Sequence, residues 1–300
     1  FLERYKDRLA ADVIVLTDTA NLATGVPSIT YALRGIVVVE VEVTAVDHPL
    51  HSGMWGGPVP DSTMALCRLL ARLVNPDGSV AVPHFYDSVA PMTDAERARM
   101  KALPFDEAAF RSDAGLFDGV RFAGERGYTV YEQIWRRPSI NVSAMESSPL
   151  EGASNQIVPA ARARIDVRTV PNMDGRAIGK LIEDELRRDP PFGVRVTTRT
   201  VAAGGHWMTD PSGPAFDAAA RALAKGYGRP TAFIGCGGSI PFVEPFSRVL
   251  GGAPALLLGL EDPICNAHSE NESLSLSDFE KALKSAAYLY DELSRLRVAR

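Results

Sequence analysis

The chain has 300 residues, a formal net charge of -5 and no block of concentrated arginine and lysine, so it carries no electrostatic footprint for nucleic acid. Its apolar runs, such as APALLLGL at 253–260, fall far short of the roughly 20 residues that cross a bilayer. Cys67, Cys236 and Cys265 are widely spaced and form no CxxC pair, which favours a reducing compartment, and hence a cytoplasmic location, over a disulfide framework.

The chain opens FLERYKDRLAADVIVLTD, with no initiator methionine and no secretory leader pattern. The expectation is a segment of a longer polypeptide. DVIVLTD (12–18) reads as a buried strand ending in an aspartate, and SITYALRG with IVVVEVEVTA (28–45) as one or two more. After the Gly/Pro-rich loop 47–60, DSTMALCRLLARL (61–73) places Leu66, Leu69, Leu70 and Leu73 on one helical face. Residues 75–150 read as loops with short elements, apart from a helix over 93–103 opened by a capping box at Thr93 and Glu96.

Regularity then resumes. Residues 161–170 alternate as a strand, 173–188 form an amphipathic helix and 192–201 another strand, which together suggest an α/β unit over roughly 36–202. A return linker (202–214), helix 215–225, strand TAFIG, the turn CGGSIP (236–241) and strand ALLLGL follow. The last helix is expected to start at Ser277 with Glu280 as its capping partner. Its expected buried side is Phe279, Leu283, Ala286, Tyr290 and Leu293.

Several positions carry candidate chemistry. Asp18 ends an apolar strand, where ligands of α/β sheets bind, although taken alone it is better explained by helix capping or a solvated strand end. His268, in NAHSENE (266–272), follows the strand LLLGL by one loop; an exposed polar loop is the alternative. A carboxylate and an imidazole together suit zinc, manganese or cobalt. His51 is presented by the glycine-rich HSGMWGG (51–57); the alternative is that Met54 and Trp55 simply plug a turn. Counting by twos puts Arg164, Asp166 and Arg168 on one strand face, and an arginine there either grips a carboxylate or faces solvent. Ser239 lies in a glycine turn that lacks the GxSxG pattern of a serine-hydrolase elbow.

Taken in order, Asp18 with PSITYALRG (27–35), HSGMWGG, NQIVP (155–159), RTVPNM (168–173), GGSIP (237–241) and AHSENE (267–272) resemble the M20 family of co-catalytic metallopeptidases, in its dipeptidase and carnosinase-like branch. The resemblance implies a two-domain α/β fold, with a catalytic domain (1–35 and 205–300) interrupted by a smaller α/β lid and dimerisation domain (36–204). It implies two divalent metal ions, zinc or manganese with cobalt as a further option. Asp18 and His268 would be terminal ligands of the two. Asp rather than Glu at the former position favours a free substrate amine, and so a dipeptidase or aminopeptidase.

The resemblance further implies that His51 stabilises an oxyanion in the neighbouring subunit of a homodimer. Arg168, Asn155 and Ser239 would contact the peptide substrate. The family's first metal-binding histidine, bridging aspartate and general-base glutamate have no counterpart in this chain, so an additional N-terminal fragment is an expected partner, and the chain alone is expected to be inactive. The alternatives are a related amidohydrolase of N-acyl or N-carbamoyl amino acids, and a non-catalytic dimerisation fragment.

Overall fold

The computed structural model describes residues 1–296. A short helix α1 (Leu2–Tyr5) precedes strand β1 (Ile14–Ala20), and strands β2 (Ser28–Leu33) and β3 (Gly35–Thr44) follow. Next come β4 (Leu50–His51), α2 (Ser52–Trp55) and α3 (Ser62–Ala71). Asp61 caps α3, its side chain accepting from Met64 N, as an Asx N-cap does.

Residues 75–150 are more regular than their composition predicts. The capping box of Thr93 and Glu96 opens α4 (Asp94–Ala102) as expected, and a second box at Thr129 and Glu132 opens α6 (Val130–Arg136). Between them lies α5 (Glu107–Asp113), and strand β5 (Ser139–Glu146) follows. β5 escapes a periodicity argument because it is an edge strand with six of its eight residues exposed, which leaves no buried face to write an alternation. Then come β6 (Gln156–Ile157), β7 (Ala160–Thr169), α7 (Gly175–Arg187), β8 (Arg195–Gly204) and β9 (Trp207–Met208). The remainder is α8 (Pro214–Tyr227), β10 (Ala232–Cys236), α9 (Val243–Val249), β11 (Ala255–Glu261) and α10 (Leu276–Ser294).

The chain divides into two compact units. Unit 1 comprises residues 1–33, 92–122 and 207–300; unit 2 comprises 34–91 and 123–206. Segment 92–122, which lies inside the range expected for the lid, groups with unit 1.

Unit 1 is built on the sheet order β1–β11–β2–β10, with β9 added to β2. β1 and β11 are parallel, β2 and β10 are parallel, and β11 meets β2 antiparallel. Thus β1 and β11 end at one edge of the sheet and β2 and β10 at the other. β11 is apolar on both sides, as a strand covered on both faces must be. Leu256 and Leu258 pack with Phe216 of α8 and Leu289 of α10, while Ala255 and Leu257 pack with Trp207 and Val243 on the opposite face.

The last helix departs from the sequence expectation. Ser275, not Ser277, is its N-cap, and its buried residues are Asp278, Ser285 and Leu289, whereas Phe279, Leu283 and Tyr290 are exposed. The physical reason is polar. The Asp278 carboxylate is drawn inward by Gly25 N at 2.6 Å, and Ser285 lies against Gly226 of α8, where a Cβ would sit 2.1 Å from Oγ. These contacts rotate the helix away from the face that its apolar residues alone favour.

Unit 2 is a four-stranded antiparallel sheet in the order β5–β7–β3–β8, with the small β4–β6 ribbon. Val37, Val39, Val41 and Val43 of β3 alternate inward with Ala161, Ala163, Ile165 and Val167 of β7, under Leu66 and Leu69 of α3 and Ile178 and Ile182 of α7. The opposite sheet face carries the charged residues.

Candidate functional site

The expected site residues fall into two groups, one in each unit. In unit 1, Asp18 lies on β1 where the pairing with β11 slips. Leu16 faces Leu257 but Thr19 faces Gly259, so three steps on β1 match two on β11. An irregularity of this kind re-aims a side chain near a strand end. Thr19 stays buried while Asp18 is exposed.

His268 sits in the loop that leaves β11 at the same sheet edge, with φ +64°, a left-handed conformation uncommon outside glycine. Asn266 and Asn271 in that loop are also left-handed, at +61° and +58°. The loop is closed at its neck. The buried Asp262 accepts from Thr24 Oγ1 at 2.7 Å and from Ile264 N at 3.2 Å, and Ser273 N donates to Cys265 O at 2.8 Å. Burial pushes the Cys265 thiol up, so it stays protonated near neutral pH and acts as packing. Glu270 and Glu272 are exposed, and it is the backbone carbonyl of Glu270, not its carboxylate, that accepts from Asn266 Nδ2.

Asp18 and His268 therefore share a sheet edge. Ser239 does not join them: it follows β10, whose carboxyl end is at the opposite edge. Its turn is held by Gly238 N, which donates to Cys236 Sγ at 3.3 Å.

In unit 2, β4 pairs with β6 so that Leu50 faces Ile157 and His51 faces Gln156. Ser52 N donates to Asn155 O at 2.8 Å, which brings His51 and Asn155 together from separate loops. His51 caps α2: its Nδ1 accepts from Gly53 N at 3.2 Å. A neutral imidazole with an accepting Nδ1 carries its proton on Nε2, so the exposed edge of the ring is a donor. Gly53 lets the ring lie close, since a Cβ there would be 3.0 Å from the ring's Cε1 and would push the imidazole by a few tenths of an ångström.

Arg168, half-buried near the end of β7, stands between Ser139 of β5 and Ile36 of β3. Its alternation partners behave as expected, with Ile165 and Val167 buried and Arg164 exposed. His206 has a structural role, its Nε2 accepting from Asn172 N at 3.2 Å.

A metal centre needs more than this. Zinc sites draw on at least three protein ligands. Among the described residues no group of three or more histidine, cysteine, aspartate or glutamate side chains is placed to hold an ion. Asp18 and His268 offer a suitable carboxylate and imidazole, but by themselves they do not fit a two-metal site. Sequence reasoning missed the clamp at Asp262, for which the Asp-Pro turn signal directly after the apolar strand was the available clue.

Comparison with known proteins agrees with this architecture. Residues 31–193 match the M20 peptidase dimerisation domain. The chain is 31% identical over 281 residues to a cysteinylglycine-S-conjugate dipeptidase of Corynebacterium striatum, covering 93% of this chain and 60% of that protein. The solved structure of the dipeptidase Dug1p from Saccharomyces cerevisiae superposes with a TM-score of 0.87 at 26% identity, over 99% of this chain and 62% of that one. Human carnosine dipeptidase 1 gives a TM-score of 0.83 at 26% identity, over 98% and 62%. The chain thus spans about three-fifths of the length of these relatives.

Proposed function

The chain belongs to the M20 peptidase family, and from that premise we propose that the whole protein is a metal-dependent hydrolase of dipeptides or small peptides. The observation that carries the proposal is the dipeptidase likeness over nearly the full chain, joined to the placement of Asp18 and His268 on one sheet edge. Family members generally depend on two metal ions, for which zinc and manganese, with cobalt as a further option, suit the carboxylate and imidazole offered here. We assign Asp18 and His268 as two of the ligands; a complete centre requires others.

Unit 1 takes the catalytic role and unit 2 the lid and dimerisation role. Arg168 binds the substrate carboxylate through its planar fork, and Asn155 and Ser239 contact the peptide. His51, with Nε2–H directed outward, donates to the oxyanion that develops on the scissile carbonyl of a substrate held by the partner subunit. Such a donor is most effective when its ring is already fixed, and the Gly53 hydrogen bond supplies that fixation.

The test compares turnover of a dipeptide bearing a free amino terminus with that of its N-acyl analogue by the whole protein. Faster turnover of the free dipeptide is expected. Preference for the blocked compound would replace the dipeptidase reading with an amidohydrolase of N-acyl or N-carbamoyl amino acids. For these 300 residues taken alone, the match of residues 31–193 to the dimerisation domain supports a second reading, a dimerisation fragment. Elemental analysis decides: two transition-metal ions per chain overturn it.

A further inference from the structure

The slip that carries Asp18 out of the β1–β11 ladder is held by a buried residue a few positions further on. Leu16 faces Leu257 and Ala20 faces Glu261, so both strands advance four residues between these pairs and the register is intact at either end. In between, a regular ladder would set Asp18 opposite Gly259, on the side of the strand where Ile14 and Leu16 pack into an apolar core. Thr19 stands there instead, and Asp18 is exposed. A one-residue slip moves a side chain to the other face of a sheet, which keeps the carboxylate out of that core.

Asn21 closes the irregularity. It is buried, and its backbone N–H donates to Glu261 O at 2.7 Å directly after the slip. Its carboxamide fills the space where a side chain on Gly259, the residue opposite Thr19, would begin. A Cβ at Gly259 would fall on Asn21 Oδ1 and within 2.8 Å of the Asn21 backbone nitrogen. Both ends of the amide are used. Oδ1 accepts from Ser28 N at 2.9 Å, at the start of β2, and Nδ2 donates to the Tyr227 hydroxyl at 3.4 Å, at the end of α8. That hydroxyl in turn donates to Asp278 O of α10 at 3.2 Å.

Returning β1 to a regular register would move Asn21 along by one residue. All three of its hydrogen bonds would break, and the amide would leave a place that only glycine opposite it admits. A buried amide without partners is costly, which works against that return. We propose that Asn21 is a positioning residue for Asp18: wedged over Gly259 and bonded to β11, β2 and α8, it holds the slip that turns the Asp18 carboxylate outward. Asn21 is itself buried and acts only through Asp18. The kinetic consequence rests on the assignment of Asp18 to the peptidase site; the structural one does not.

The test uses the whole protein and reads structure and kinetics together. In crystal structures of Asn21→Ala and Gly259→Ala, Thr19 should no longer stand opposite position 259. Both variants should lower kcat for a free dipeptide by roughly 10–100-fold, the scale of misplacing a reacting group by about 1 Å, with KM nearly unchanged. Tyr227→Phe keeps the ring in the core and removes only the hydroxyl that receives Nδ2. It should show a smaller fall in kcat, and it decides the question if neither of the others folds, full kcat then overturning the proposal. Leu289→Val loosens the same core without removing a partner of Asn21, so its melting temperature should fall while kcat, measured well below melting, stays. The proposal is also overturned if the slip survives both alanine replacements, if it is lost while kcat is kept, or if Leu289→Val lowers kcat as much as they do. Should the native protein leave free dipeptides intact, the peptidase reading falls, and the register in the two variant structures alone decides whether Asn21 holds Asp18.

Discussion

Thr24 Oγ1 donates a 2.7 Å hydrogen bond to the Asp262 carboxylate, joining the turn after β1 to the loop after β11 across 238 positions of chain. The same carboxylate receives Ile264 N, so one side chain fixes both loops at the edge where Asp18 and His268 lie. Replacing it with alanine should free the loop. Asp262→Ala is expected to cost about 1–3 kcal/mol through the loss of two hydrogen bonds to a charged carboxylate. Hydrogen exchange should accelerate in residues 264–274. Unchanged exchange there would show that the loop is held by its own turns.

For His51 the expectation is kinetic. In the whole protein, His51→Ala should lower kcat by roughly 10²–10³-fold, the effect of removing one oxyanion donor, with a smaller change in KM. Gly53→Ala should produce part of the same loss by displacing the imidazole, without removing it. If Gly53→Ala has full activity, the orientation of the ring is not set by its cap.

Glu183 gives unit 2 a dependence on acid. Burial pushes its carboxyl up, but hydrogen bonds from Thr200 Oγ1, Thr200 N and Thr198 Oγ1, with Arg187 nearby, outweigh burial and hold it below its ordinary value of 4.5. A depressed folded-state value means that the unfolded chain binds the proton first as pH falls. The stabilisation is therefore complete above the ordinary value and is lost as pH drops through the folded one. Denaturation midpoints measured from pH 6 to pH 3 should fall less steeply for Glu183→Gln than for the native chain. Parallel curves would remove Glu183 from the acid response.

Core truncation should separate the two units. Ile165 is fully buried in the unit 2 cluster, so Ile165→Ala is expected to cost about 2–5 kcal/mol. A melting profile in which only one of two transitions moves would confirm that each unit has its own core. A uniform shift of the whole profile would mean that they unfold together.

Much of this architecture was legible wherever one face of an element is buried. The alternation of β3 and β7 and the leucine stripe of α3 announced themselves because burial selects side chains at a fixed period. β5 did not, since an exposed edge strand imposes no such selection. The rotation of α10 was hidden because it is set by Asp278 and Ser285, polar residues whose partners Gly25 and Gly226 are distant in sequence. At the site, motif order singled out Asp18, His51, His268 and Ser239 as candidates, but only the strand directions reveal that Ser239 lies at the other sheet edge from Asp18.

The parallel pairing of β1 with β11 also sets a timetable for biosynthesis. β1 emerges well before this neighbour, which lies 235 residues behind it (Ala20 to Ala255). At about 5–20 residues per second, that interval is tens of seconds. Both segments of unit 2 are complete by residue 206, before β10 and β11 exist. Unit 2 can therefore finish on the ribosome while the side of β1 that takes β11 is still unpaired and open to association with other chains. The vulnerable species in production of this protein is a chain whose second unit is folded and whose first is still open, and slower elongation between residues 206 and 255 would lengthen its life.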